Sequence, residues 1–293
     1  MGEFFALLTA LIWSAAVILI KRSGETMSPF ALNFFRVVTS LCLFVPTLFL
    51  FGETPWQRAP LSDYLTLFAS GVIAIFVSDT LFHHSLNIVG AGLSAIVDCL
   101  YAPLTVLAAW VLLGERLGPL QLVGLALVTG GVVCAAGHEP PRGVPAKRLV
   151  AGVVWGVAAM VMLAIGITIA KPVLNKPGTS VMWATTVRQI GCLLVMVPAA
   201  LLSPRRRSYF RVFRPSPAWK HSIPGAILGS YLALMCWIAG MKYAKVGVAA
   251  ILNQSSTIYI LVFAALFLKE KFTLRKAVAC AVALAGLVLV TVA

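Results

Sequence analysis

Long apolar runs dominate the chain, interrupted at short intervals by a few polar or basic residues. The runs are continuous, without the alternation over about ten residues that marks the strands of a membrane β-barrel. A helix that crosses a bilayer needs about 20 mostly apolar residues. That criterion marks ten segments: 3–20, 29–51, 64–84, 92–113, 119–136, 149–169, 181–202, 222–241, 246–268 and 275–292. The expected fold is an all-α membrane protein of ten transmembrane helices. Nearly everything else is short connection, which leaves no room for a soluble catalytic domain.

Composition agrees with this pattern. Of 293 residues, 60% are hydrophobic and 11% are charged, against about half and a quarter in soluble domains. The six cysteines (Cys42, Cys99, Cys134, Cys192, Cys236 and Cys280) all fall inside the expected spans without a CxxC pair. They read as small buried hydrophobes rather than a disulfide frame or zinc site. The N-terminus lacks a basic region followed by a small-residue cleavage signal, so the first span is expected to be retained.

The net charge of +14 arises from 23 basic and 9 acidic residues. Its densest run is RRRSYFRVFRPSPAWK, Arg205 to Lys220. Arginine mixed with aromatic residues suits a segment lying at the membrane surface, attracted to anionic lipid. Nucleic-acid binding uses the same residue types, but one loop between two spans argues against it. Loop charge also orients the chain. Six basic residues fall on the side of the termini and fifteen on the other. Basic loops stay in the cytoplasm, so this count places both termini outside it.

The two halves repeat. Gly92 to Gln121 (GLSAIVDCLYAPLTVLAAWVLLGERLGPLQ) aligns with Gly247 to Lys276 (GVAAILNQSSTIYILVFAALFLKEKFTLRK) at a constant offset of 155. The offset pairs Gly92 with Gly247, Ala95 with Ala250, Glu115 with Glu270, Arg116 with Lys271, and Gly131 with Gly286. Arg36 precedes Pro46, and Arg188 precedes Pro198, by ten residues in each half. A polar, Pro-rich stretch from Gly137 to Arg148 reads as the linker. The expected units are residues 1–145 and 146–293, each of five spans. An odd number of spans inserts the second unit upside down, the inverted repeat frequent in secondary transporters.

The duplicated layout, the LIWSAAVILIK and NFFRVVTS stretches of spans 1 and 2, and LLGERLGPLQLVGLALVTGGV with its echo FLKEKFTLRKAVACAVALAGLVLV resemble the EamA branch of the drug/metabolite transporter superfamily. The likeness covers almost the whole chain. It implies a secondary carrier, often an exporter of amino acids or related metabolites, with cytoplasmic termini, against the loop count. It places Trp13 and Ser14 where the family carries an aromatic and a small residue, and makes spans 5 and 10 peripheral supports. The small residues of those two spans permit close packing, and a homodimer through them, or a monomer, stays open.

Ionisable groups inside a bilayer mark function. Here they are Arg36, Asp79, Asp98 and Arg188, with His83 near a span end. At 1.5 Å per helical residue, Arg36, Asp79 and Asp98 each lie roughly 8–10 Å from the same face. Arg36 is expected to pair with one carboxylate or bridge both. A carboxylate left over would hold a proton or meet a cationic group, so Asp79, Asp98 and His83 are the candidates for proton coupling. The bland reading is a structural ion-pair cluster. Arg188 lies roughly 10 Å from the opposite face, with Asn253, Gln254, Ser255 and Ser256 where Asp98 has its counterpart. It suits an anionic ligand group, or else snorkels to helix-end carbonyls. Pro103 follows Asp98 by five residues and predicts a break beside the buried charge. Asp98, Tyr101 and Thr105 share one helical face, as do Asn253, Thr257 and Ile260. Asp79 and His83 are four apart, yet a metal pair lacks a third ligand.

These residues predict a central substrate cavity lined by Trp13, Ser14, Asp79, Asp98, Tyr101, Arg188, Asn253, Gln254 and Thr257. The function expected is alternating-access transport: export of small polar metabolites such as amino acids, with export of lipophilic cations or flipping of a lipid-linked substrate as variants. No cofactor is called for. No HExxH or GxSxG supports an intramembrane enzyme. Compact loops favour a bacterial cytoplasmic membrane. The loop count predicts that a tag at either terminus is accessible in intact cells; access only after permeabilisation would reverse the orientation.

Overall fold

The computed structural model describes residues 1–136, 145–267 and 274–292, and all regular structure among them is helical. The first part of the chain runs through α1 (Gly2–Gly24), α2 (Pro29–Leu50) and α3 (Leu61–Gly71), then a π-helical stretch (Val72–Val77) that continues into α4 (Ser78–Asp98). It ends with α5 (Tyr101–Leu113) and α6 (Pro119–Ala136). The second part has α7 (Ala146–Leu174), α8 (Val181–Leu202), the short α9 (Arg206–Arg211) and α10 (Trp219–Ala226). A second π stretch (Ile227–Ala233) joins α10 to α11 (Leu234–Tyr243), followed by α12 (Val246–Asn253), α13 (Ser256–Phe267) and α14 (Leu274–Val292).

Six helical runs are long and apolar enough to cross a membrane, and four shorter apolar helices accompany them among the described residues. Large apolar side chains such as Leu107, Trp110, Val111, Val154 and Leu194 are exposed on their outer faces. A soluble protein would not tolerate so much exposed apolar surface; lipid covers it here.

Local chemistry sets the helix ends. Pro29 opens α2, where its missing N–H leaves nothing unpaired. The Ser180 hydroxyl accepts from the Met182 and Trp183 backbone N–H groups at 3.1 and 3.3 Å and starts α8. Gly114 stops α5 at φ 67°, a left-handed conformation that suits glycine.

The structure departs from the expected spans at three places. Spans 4 and 9 are each divided, at Cys99–Leu100 and at Gln254–Ser255. Pro103 falls in the first turn of α5, so it starts a helix rather than kinking one. The connection expected between spans 3 and 4 is helical throughout. That run is nevertheless sharply bent: a Cβ on Gly156 would stand 2.8 Å from both Ser85 Oγ and Val97 Cγ1, while a straight helix would set residues 85 and 97 about 18 Å apart. Of the expected linker, residues 137–144 lie outside the described residues, as do Glu270 and Lys271; Lys147 and Arg148 belong to α7.

Glycines bring the helices close. The backbone carbonyl of Arg188 in α8 occupies the place where Gly71 of α3 would carry a Cβ. One turn further along α8, Gly191 meets the Phe68 backbone, with Phe68 Cα 2.6 Å from the Cβ position. Gly124 of α6 and Gly286 of α14 likewise face each other, each 2.8 Å from the other's carbonyl at the Cβ position. The close contact made by these small residues of spans 5 and 10 is therefore within one chain. Gly71→Val should lower unfolding stability by about 1–3 kcal/mol, the range for overpacking. Gly130→Ala, which meets nothing within 4 Å, should leave it unchanged. Thermal unfolding in detergent checks both, and equal melting of Gly71→Val and the parent chain would refute the crossing.

Candidate functional site

The two helix breaks and the two π stretches surround one internal cavity of about 110 Å³, room for several waters or part of a small solute. Its walls include Trp13 of α1, Arg36 of α2, Asp79 of α4 and Asp98 at the end of that helix. Tyr101, Asn253 and Gln254 complete the expected set that meets there.

Irregular backbone frees carbonyls, and polar side chains take them up. Asn33 Nδ2 donates to the Ile75 carbonyl in the first π stretch at 2.8 Å, and to Thr80 Oγ1 at 3.1 Å. Gln189 Nε2 donates to the Ser230 carbonyl in the second π stretch at 3.3 Å, and to Ser40 Oγ at 3.0 Å. At the helix breaks, Gln254 Nε2 reaches the Asp98 carbonyl at 3.3 Å. Ser14 Oγ donates to the Ser256 carbonyl at 2.9 Å.

The charged groups are arranged unequally. Arg36 is 2% exposed. Its Nη1 lies 3.5 Å from Asp79 Oδ2 and donates to His83 Nε2 at 2.8 Å. Its guanidinium also stands over the Trp13 ring, 5.6 Å from the centroid. Arg36 thus pairs with Asp79 and does not bridge to Asp98, which forms no ion pair among the described residues. An arginine only donates, so His83 Nε2 must keep its lone pair for that bond. That makes His83 a support for Arg36 rather than a group free to accept a transported proton. No group of three or more His, Cys, Asp or Glu stands together among the described residues.

Arg188 is fully buried behind the cavity wall. Its Nε donates to Ser70 Oγ at 2.9 Å, and its other two nitrogens have no partner among the described residues. The guanidinium lies over the Trp237 ring at 5.6 Å. Trp237 Nε1 donates in turn to Tyr101 Oη at 3.0 Å. Tyr101 and Trp237 line the cavity, and Arg188, itself outside the lining, packs against Trp237. Ser14 and Thr257 are buried outside the lining, Ser14 bonded to the Ala10 and Ser256 carbonyls. The structure adds Thr9, Ser78, Gln189, Ser230 and Trp237 to the walls. In sequence these are isolated polar or aromatic residues within apolar runs, a pattern that packing residues share.

The repeated glutamate has a separate task. Glu115 Oε2 accepts from the Val246 backbone N–H at 3.0 Å and caps the start of α12. It lies in the turn after α5 and ties the two parts of the chain together outside the cavity.

The EamA-like transporter family matches residues 1–137 and again residues 150–292. The chain belongs to the EamA-like transporter family. A protein of Archaeoglobus fulgidus described as an uncharacterized transporter is 22% identical over 273 residues, spanning 92% of this chain and 90% of its own. One protein of known crystal structure superposes with a TM-score of 0.76 at 19% identity, covering 99% of this chain and 96% of its own. At that identity the likeness concerns the fold. Within this EamA-like transporter, the pairing predicts different roles for the two acidic residues. Asp79→Asn should destabilise the purified protein by about 3 kcal/mol, the low end for breaking a buried pair. Asp98→Asn should not destabilise it. Equal shifts in melting temperature for the two variants would contradict this division.

Proposed function

We propose that this EamA-like protein is a secondary transporter that exports small polar metabolites, such as amino acids or related organic solutes, by alternating access. The observation that carries the reading is a cavity with both signs of charge and uneven neutralisation. Asp98 lines it without an ion-pair partner among the described residues, while Arg36 and Asp79 neutralise each other. Arg188 stands behind Tyr101 and Trp237 with two guanidinium nitrogens unused by the described residues. Guanidinium binds carboxylate through two parallel hydrogen bonds. A solute with one ammonium and one carboxylate would satisfy Asp98 and Arg188 together, once the Tyr101–Trp237 pair gave way.

The architecture proposed is ten spans in two inverted halves, residues 1–145 and 146–293. Two pairs of features at the same offset support it: the π stretches begin at Val72 and Ile227, and the first halves of spans 4 and 9 end at Asp98 and Asn253. The halves would rock about the central cavity, in the cytoplasmic membrane of a bacterium. Asp98 is the favoured proton carrier, because Asp79 is engaged by Arg36. A second reading draws on the aromatic walls Trp13, Phe82, Tyr101 and Trp237 around the Asp98 carboxylate, which has no ion pair among the described residues. Those features also suit a lipophilic cation.

Thermal stabilisation of the purified protein separates the two. Amino acids or organic acids should raise its melting temperature, and Arg188→Gln should remove at least tenfold of the apparent affinity, given about 1.5–3 kcal/mol for a charged hydrogen bond. Stabilisation by lipophilic cations alone, unaffected by Arg188→Gln but lost in Asp98→Asn, would replace metabolite export with drug export.

A further inference from the structure

A second concavity, of about 300 Å³, lies on the outer surface and shares α2, α4 and α7 with the central cavity. Ser78, Asp79 and Phe82 of α4 face the centre, while Thr80, Leu81 and His84 face this groove. Phe30 of α2 and Trp155 of α7 supply its apolar walls, and Arg205 and Tyr209 also line it. From Thr80 to His84 the groove follows α4 for about 6 Å.

The segment that brings Arg205 and Tyr209 to the groove is positively charged. The segment 203–221 carries six arginine and lysine residues and no acidic residue. None of the six forms an ion pair among the described residues. Its position is fixed by aromatic packing against α2. Tyr209 stacks on Phe30 with centroids 4.5 Å apart, and Phe213 meets Phe34 edge-on at 5.2 Å. Ser28, which precedes α2, also lines the groove, and its hydroxyl is buried with no partner among the described residues. The positive end of the α2 dipole adds to the charge there.

We propose that this groove binds one anionic phospholipid, with the phosphate at Arg205 and Ser28 and an acyl chain along Phe30, Leu81 and Trp155. Charge complementarity selects the anionic headgroup, since the segment holds six positive charges and nothing in it to neutralise them. The apolar walls select a lipid over a free phosphate, which would leave Phe30, Leu81 and Trp155 without a partner. Basic residues next to transmembrane helices attract anionic lipids in this way. The lipid would lie against the outer face of the helix whose inner face carries Asp79, and would hold that helix in place.

Native mass spectrometry of the detergent-purified full chain tests the site, with titration of phosphatidylglycerol, phosphatidylcholine of the same acyl chains, and inorganic phosphate. Phosphatidylglycerol should bind in preference to phosphatidylcholine. Arg205→Gln should weaken that binding about fivefold, corresponding to about 1 kcal/mol per basic residue near a membrane surface. Lys220→Gln removes the same charge from the same segment outside the groove, and should leave the binding unchanged. Equal loss in both variants would show diffuse attraction to the whole segment and overturn the site. Undiminished binding in Arg205→Gln would overturn it too, as would equal binding of phosphatidylcholine, or phosphate competing as well as the lipid does.

Discussion

A backbone carbonyl released from its helix inside a bilayer has no water to turn to, so another part of the protein must supply its hydrogen bond. That constraint organises this molecule. Two π stretches and two helix breaks lie around one cavity, and a polar side chain from elsewhere in the fold reaches each of them: Asn33 and Gln189 at the π stretches, Gln254 and Ser14 at the breaks. Irregular backbone, polar side chains and open space therefore occur together. The same bonds that permit the cavity also tie α1, α2, α4, α8 and α13 into one assembly.

Two buried arginines illustrate how differently a charge can be held in such an interior. Arg36 has a carboxylate, an imidazole and an indole face around it. Arg188 has one serine hydroxyl and an indole face, and two of its nitrogens go unused by the described residues. A buried ion with incomplete hydrogen bonding is costly. Among the described residues the first leaves only its Nε without a partner, beside a carboxylate that neutralises it, while the second leaves both Nη nitrogens unbonded and has no carboxylate paired with it. This contrast, rather than the mere presence of charge, is what favours a ligand with an anionic group.

Much of this was legible along the chain, for reasons of distance. Counting residues from the span ends placed Arg36 and Asp79 at one depth, and the structure pairs them. Pro103 announced the break after Asp98, since a proline suits the first turn of a new helix. The corresponding break after Asn253 has no proline and rests on a run of amide and hydroxyl residues, a weaker signal. The π stretches left no mark, because VIAIFV and ILGSYLA differ little from ordinary helical sequence. Ser14 and Thr257 share helical faces with lining residues yet lie outside the lining. Helical spacing fixes a direction around one axis, and only the neighbouring helices decide whether that direction meets space or another side chain.

The contact between Gly71 and Arg188 has a mechanical side. Where a glycine lets two backbones touch, no flexible side chain stands between them to absorb sliding. For two halves that tilt against each other, such a point acts as a fulcrum: displacement is least there and grows with distance from it. Arg188 supplies the carbonyl at that point. In such a motion its guanidinium would be carried close to the axis of tilt and would move little while the walls on either side shifted around it.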